Sequence, residues 1–329
     1  MENTIYTHLY KKMKMNNQQP KFYDTDKRYN QYSAYLKEIF NTKVYKITLD
    51  AGFNCPNRDG TLSHQGCIFC DASGSYSQAQ PSELSVKEQL FLGVENLKNS
   101  KFKAKKFISY FQAYTNTYKP IVELKEIYAQ GLSHKDVVGI SIGTRPDCVD
   151  EEKLDLIASY TQNYNTWIEY GLQTIHDKTL SFINRGHDFE CFLKAYKQTK
   201  ERNINTCAHV ILGLPNETRD DMMQTAKTLA ELKVDGVKLH LLCAMKGTKL
   251  AQIYENGGYT PLSEDEYINL VCDFLELLPQ STIIQRLAGN GLVGQTIAPK
   301  WIQKKFEILN KIDREFINRN SWQGKLFIE

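Results

Sequence analysis

Three cysteines between positions 55 and 70 offer the chain's densest chemistry: Cys55-Pro-Asn-Arg-Asp-Gly-Thr-Leu-Ser-His-Gln-Gly-Cys67-Ile-Phe-Cys70. The spacing is Cys-x11-Cys-x2-Cys. A Cys-x-x-Cys pair brings two thiolates to one metal centre, and Pro56, Gly60 and Gly66 bend the chain so that Cys55 can return as a third ligand. Three thiolates on a four-iron cube leave one iron open. An open iron can bind a substrate, whereas clusters that only carry electrons use four cysteines. His64 lies inside the loop, so Cys55, His64, Cys67 and Cys70 could instead close a structural Cys3His zinc site. Spacing leaves both readings open. Asn57, Arg58, Asp59 and Gly60 make the loop polar, which argues against cysteines that merely pack.

Composition narrows the setting. The chain has 329 residues, 41% hydrophobic and 24% charged, the proportions of a globular protein with a sizeable core. No apolar run approaches the length that spans a bilayer, and the N-terminus Met-Glu-Asn-Thr-Ile-Tyr lacks the apolar stretch of a secretory signal. The expected location is therefore the cytoplasm, with no membrane partner. In that reducing compartment the eight cysteines read as metal ligands or core residues rather than disulfides, the five outside the loop as small core residues. Net charge is +3, divided as +5 over residues 1–49, −5 in the middle and +3 over residues 300–329. The N-terminal part also carries Tyr6, Tyr10, Tyr23, Tyr29, Tyr32, Tyr35 and Tyr45. Basic charge with interleaved aromatics fits RNA contact. A solvated surface with tyrosines packed on the core fits the same composition slightly better.

The elements that must position the loop alternate. β-rich runs occur at 44–49, 106–111, 137–142, 166–172, 206–212 and 236–242, with helical periodicity between them. One such helix is expected over 219–233, with Met222, Ala226 and Leu229 on one face, Thr218 as N-cap and Asp220 and Asp221 at its positive end. Alternation implies a parallel sheet with helices outside, either doubly wound or an incomplete barrel, and ligands then gather where strands end. The cysteine loop, 112–116, 145–147, Gln173 and 213–215 all follow strands. The stretch 301–318 reads as an amphipathic helix with Ile302, Phe306, Leu309, Ile312 and Phe316 on its apolar face.

These residues carry a resemblance. The cysteine loop, with Phe69 between the last two cysteines, resembles the radical S-adenosylmethionine (SAM) signature, although its first spacing is longer than the common Cys-x3-Cys. The long spacing resembles the subgroup of the Elongator catalytic subunit. Further along, Thr144-Arg145-Pro146-Asp147 resembles that subgroup's TRPD, Tyr170-Gly171-Leu172-Gln173 its LGVQ, and Asn184-Arg185-Gly186-His187 its NRGH. His209 through Gly213-Leu214-Pro215 resembles HIMPGLP, Gly247-Thr248 and Gly258-Tyr259-Thr260-Pro261 resemble GT…GxYxP, and Arg286 ends the region. Within the subgroup, Cys55–Gly60 and Tyr110–Tyr118 look most like the YhcC/YtqA (MnmL-like) family.

The resemblance implies an α/β fold, an incomplete (β/α)6 radical SAM barrel at 41–290, with a basic aromatic N-terminal extension at 1–40 and a C-terminal helical extension at 291–329. It implies a [4Fe-4S] cluster on Cys55, Cys67 and Cys70, and SAM as second cofactor. Phe69, Gln173 and Arg185 would meet SAM, the Arg185 guanidinium suiting its carboxylate. Gln112, Thr115 and Asn116 would stand in for the absent GGE motif, and Gly213, with Pro215, would shape the turn beside adenine. His209 would hold ribose or a structural bond, and Arg145 with Asp147 would face SAM or form an internal ion pair. Lys238, His240, Cys243 and Lys246 fall on the substrate side, and no catalytic residue is assigned. The family also implies work on the tRNA wobble uridine, converting 5-carboxymethylaminomethyl to 5-aminomethyl. Its partners would be an external electron donor such as flavodoxin or ferredoxin, and a tRNA methyltransferase acting on the product. A radical SAM enzyme for a small molecule or protein, and a zinc-binding RNA module, are the alternatives.

Overall fold

The computed structural model describes residues 22–23, 25–71, 74, 83–289, 291 and 293–328. Tyr6, Tyr10 and most of the 1–40 extension lie outside them. Seven parallel strands form one sheet: β1 (Val44–Leu49), β2 (Lys106–Phe111), β3 (Val137–Thr144), β4 (Asn165–Gln173), β5 (Asn205–Leu212), β6 (Gly236–Leu241) and the final β8 (Ile283–Arg286), side by side in that order. The helices between them in the chain include α2 (Val86–Asn99), α3 (Ile121–Gly131), α4 (Glu151–Ala158), α5 (Asp177–Phe182), α6 (Phe189–Glu201) and α7 (Arg219–Glu231). Strands buried on both faces by such crossovers read as apolar runs, and Phe107, Ile108, Ile140, Ile142, Ile168, Leu172, Val210 and Leu239 are all buried. The sheet is a curled, incomplete barrel. Lys46 on β1 bonds Glu169 on β4 (2.9 Å) and Gln285 on β8 (3.0 Å), so the two sheet edges approach one another across the interior.

The sequence pattern located six strands and missed the seventh. Residues 283–286 are too short for periodicity to register. The hairpin-like pair β7 (Ala244–Met245) and β9 (Thr296–Ala298) is shorter still, and antiparallel.

A helix plugs one end of the barrel. In α1 (Tyr32–Phe40), Tyr32 and Tyr35 stand edge-on to Trp167 of β4, with ring centroids 5.7 and 6.2 Å away. Gln31 bridges Ile284 as an extra parallel partner for the β8 edge, which leaves fewer open sheet bonds there. Tyr29, Tyr32 and Tyr35 are thus core residues, as the packing reading of the N-terminal tyrosines expects.

Capping fixes the helix starts. Ser85 with Glu88, Thr218 with Asp221 and Ser263 with Glu266 each form a reciprocal capping box. The last opens α9 (Glu264–Leu277), which follows the short α8 (Lys249–Glu255). The C-terminal helix differs from expectation. A 3-10 turn, Lys300–Gln303, precedes α10 (Lys305–Asn318), and between them Lys304 leaves helical geometry at φ −98, ψ 49. Of the expected face, Ile302, Ile312 and Phe316 are buried and Leu309 packs against the core, but Phe306, next to the break, is 81% exposed and Ile308 is buried in addition.

Part of the basic charge at both ends is internally paired. Lys27 pairs with Asp313, Lys304 with Glu307, Lys311 with Glu264, and Arg319 with Asp273 and Glu315.

Candidate functional site

A cavity of about 420 Å³ opens where the strands end. Cys55, Cys67, Phe69 and Cys70 line it on one side, with Gln112, Thr115, Arg145, Gln173, Arg185 and His209 around them. Glu169 and Tyr110 also line it, as do His240, Cys243 and Arg286, from or after β6 and β8 at the opposite edge of the sheet from the β1 that leads into the cysteine loop, and Lys305. Of the expected cofactor residues, Asn116 and Gly213 lie outside the lining. Asn116 is buried and spans two strand ends: its Nδ2 donates to the Gly143 carbonyl at 2.7 Å, while its own carbonyl accepts from the Tyr128 hydroxyl at 2.6 Å. Gly213 adopts φ +82 under the Leu262 side chain, and its carbonyl accepts from the Tyr259 hydroxyl at 3.0 Å. Its part is to shape the turn.

The cysteine loop is held from several directions. The Ile68 N–H donates to the Ile183 carbonyl (3.1 Å), the Ile68 carbonyl accepts from the Leu250 N–H (2.8 Å), and the Asn184 amide donates to the Gly66 carbonyl (2.7 Å). Side-chain N–H groups then reach the sulfurs. Asn57 Nδ2 lies 3.6 Å and Arg185 Nη1 3.5 Å from Cys67 Sγ, and Arg58 Nη1 lies 3.4 Å from Cys70 Sγ. The Arg185 guanidinium is fixed in turn by the Gly171 carbonyl, which accepts from Nη2 at 2.6 Å and Nε at 3.2 Å. Gly171 is required for this: a Cβ there would sit 2.6 Å from Arg185 Nη2 and 2.9 Å from Gln173 Nε2. Gln173 itself takes φ +78, which turns the end of β4 toward the cavity where its ladder with β5 breaks register.

Arg145 and Asp147 form a two-pronged ion pair, Nε to Oδ1 at 2.8 Å and Nη2 to Oδ2 at 2.7 Å. The internal-pair reading therefore holds, and Arg145 still lines the cavity. Burial opposes charge on Asp147, but Arg145 outweighs it and holds the carboxyl below its usual range. Burial, then Arg185 and Arg145, push His187 down to about 3, so this histidine is neutral at pH 7.

The floor of the cavity contains a cluster that the sequence pattern concealed. Glu169, in mid-β4 and fully buried, accepts from Lys46, Ser141, Lys238 and His209, the last at 2.9 Å through Nε2. Lys238 also donates to the Tyr110 hydroxyl at 3.0 Å. Burial alone would raise the Glu169 pKa, yet Lys238, Lys46 and His209 hold it well below the carboxylate range. Burial pushes Lys238 down to about 7 against the pull of Glu169, and His209 down to about 4 despite its bond to Glu169. A neutral His209 donates its Nε2 proton to the carboxylate, which leaves Nδ1 an acceptor. The one signal for this cluster was a lone Glu inside an apolar strand, with Lys238 at an inward position two strands away.

The donor set fits an iron–sulfur cluster. Three thiols stand at one end of a cavity, met by the N–H groups of Asn57, Arg58 and Arg185 that an anionic sulfur cage needs. Buried Arg145 Nη1, on the same wall, has no protein partner among the described residues and is free for a ligand. The closed zinc alternative gains no support from the placement of His64. Exposed His64 packs over Gly60, and among the described residues no three His, Cys, Asp or Glu side chains converge on one metal ion.

Comparison with known proteins agrees with this geometry. The pattern of the radical SAM superfamily matches residues 57–229, and that of the radical SAM C-terminal domain matches 234–318. The chain is 44% identical to YtqA of Bacillus subtilis over 315 residues, 96% of this chain and 97% of the relative. It is 38% identical to YhcC of Escherichia coli K12 over 296 residues, 90% of this chain and 94% of the relative. A shorter likeness, 29% over 149 residues, joins 44% of this chain to 26% of the tRNA uridine(34) acetyltransferase of Methanocaldococcus jannaschii. Among solved structures, the Elp3 of Methanocaldococcus infernus shares the fold, with a TM-score of 0.65 at 16% identity over 85% of this chain and 64% of that one. The chain belongs to the radical SAM superfamily, in the branch of YtqA and YhcC and with that superfamily's cofactors, a [4Fe-4S] cluster and S-adenosylmethionine.

Proposed function

We propose that this chain is a cytoplasmic radical SAM enzyme that modifies the wobble uridine of tRNA, taking the 5-carboxymethylaminomethyl group to 5-aminomethyl. The enzyme half of this reading is carried by the cavity, with three cysteines at one end and room beside them for SAM and a substrate group. The tRNA half is supported by the likeness of 44% of the chain to an acetyltransferase named for tRNA uridine 34; acetyl transfer itself is not carried over.

In this reading Cys55, Cys67 and Cys70 would hold the cluster, with SAM as its partner in the same cavity. When bound, cluster and SAM together supply a 5′-deoxyadenosyl radical able to take hydrogen from an unreactive carbon. Arg58, Arg185 and Asn57 stabilise the anionic sulfurs by charge and hydrogen bonds. Gln173, with Gln112, Thr115 and Phe69, lines the space where SAM docks, and Arg145 offers its unpartnered Nη1 beside it. His209, which lines the cavity and is fixed by Glu169, is neutral at pH 7, with Nδ1 left as its acceptor. The electron comes from an external donor of the flavodoxin or ferredoxin class, and a methyltransferase completes the product.

Deleting the gene tests the tRNA assignment. Mass spectrometry of tRNA nucleosides is expected to show loss of one wobble-uridine modification and accumulation of its precursor. Unchanged nucleosides contradict the assignment.

A further inference from the structure

The cations lining the cavity fall into two sets. Arg58, Arg145 and Arg185 have sulfur, carboxylate or carbonyl partners. Arg286 and Lys305 also line the cavity, yet neither side chain forms an ion pair or hydrogen bond among the described residues. The one carboxylate lining that part of the cavity, Glu169, is already engaged by Lys46, Lys238, Ser141 and His209. Beside Arg286, His240 has a buried Nε2 without a partner.

This arrangement is built. The ladder between β6 and β8 pairs Val237 with Ile284 and then Lys238 with Arg286, skipping Gln285. Without that break, neighbouring residues would point to opposite faces; the bulge lets both Gln285 and Arg286 turn inward. Gln285 accepts from Lys46 inside the barrel, while Arg286 reaches the cavity. Lys305 stands in the first turn of α10, a fourteen-residue helix whose start has no side-chain cap, so its free N–H groups add to the positive field. Burial and then the Arg286 charge push Lys305 down, and the same two causes push His240 well below its usual range. Gathering cations that repel one another, with no acid between them, costs free energy unless an anion completes the site.

We propose that Arg286, Lys305 and His240 form an oxyanion-binding subsite that receives a carboxylate or phosphate group of the substrate, away from the cysteines. The inference rests on the reading that substrate enters this cavity beside the cofactors, and is independent of whether that substrate is tRNA. Arg286 supplies a planar fork of donors, Lys305 a mobile point charge, and His240 a single donor from its buried Nε2.

Calorimetric titration of the full chain with inorganic phosphate and, separately, with acetate tests this at constant ionic strength. At least one anion is expected to bind at millimolar concentration, and the tighter of the two identifies the source as phosphate or carboxylate. Arg286→Gln is expected to weaken that binding about tenfold, Arg286→Lys to restore most of it, and Lys305→Gln to weaken it about threefold. Lys305 is only partly buried at the start of a helix, so its variant remains informative should Arg286→Gln fail to fold. SAM affinity, measured by equilibrium dialysis, is expected to stay within about twofold in all three variants. Undetectable binding of both anions, equal binding by Arg286→Gln or Lys305→Gln, or loss of SAM binding in Arg286→Gln overturns the proposal. Failure of the wild type to bind SAM would instead sink the proposed function, while the anion titrations still judge the subsite.

Discussion

The two ends of the cavity handle positive charge in opposite ways. At the cysteine end every arginine has a protein partner: Arg58 and Arg185 reach sulfurs, and Arg145 is paired with Asp147. At the far end Arg286 and Lys305 have none among the described residues. The first end is a socket prepared for a resident group, with Arg185 held by the Gly171 carbonyl, Asn57 by the Asn184 carbonyl, and the loop itself by Ile183. The second holds charge in reserve for a group that comes and goes. Between them, Glu169 is engaged by Lys46, Lys238, Ser141 and His209 and is not left over to pair with Arg286 or Lys305.

Changes that strip the first end should have the largest effects. Cys67→Ala is expected to lose the cluster, seen as iron and sulfide content, and to reduce SAM cleavage by at least about a thousandfold. Glu169→Gln leaves buried Lys238 and half-buried Lys46 without their carboxylate and is expected to cost about 3–5 kcal/mol in denaturant unfolding. Glu169→Gln with Lys238→Met should recover much of that loss, and no recovery would show that the cluster is more than an ion pair. His209 gives a pH signature. A histidine that charges at about 4 when folded binds fewer protons than the unfolded chain between pH 6.5 and 4. Stability therefore falls as pH drops through that window, by about 3 kcal/mol for this residue. Unfolding midpoints across pH should show a flatter slope in His209→Asn. Gly171→Ala pushes Arg185 off Cys67 and should weaken retention of iron under a chelator by about tenfold, with little change in melting. Smallest of all, Phe306→Ala should alter stability by less than about 0.5 kcal/mol, whereas Phe316→Ala should cost about 3–5 kcal/mol.

That last pair shows what sequence pattern carries and where it stops. Periodicity placed β1 and β2 at their observed bounds, and β3, β4 and β5 within one or two residues at each end, because buried parallel strands are apolar runs with sharp polar limits. On the C-terminal helix it placed Ile302, Ile312 and Phe316 correctly in the core and Leu309 against it, but misplaced Phe306, because it assumed one unbroken helix through the break at Lys304. β8 was missed because four residues carry too little pattern. In the site, Cys55, Cys67 and Cys70 stood out by type and spacing, and Arg145 and Gln173 by position after strands, whereas Arg185 and His209 were singled out by the family resemblance; all seven line the cavity. Glu169 was not, because one acid inside an apolar strand looks local until the fold brings Lys46, Lys238 and His209 from three other strands onto it. The inward turn of Arg286 depends on a bulge, a property of pairing rather than of its own neighbours in sequence.

The account turns on the cysteine end holding an open-sited cluster. Anaerobically reconstituted protein, assayed together for iron, sulfide and 5′-deoxyadenosine after reduction with SAM present, tests this most directly. The expected result is about four irons and four sulfides per chain with 5′-deoxyadenosine formed, and loss of both in Cys67→Ala. Protein that contains zinc without sulfide, or a full cluster that leaves SAM intact after reduction, would contradict it.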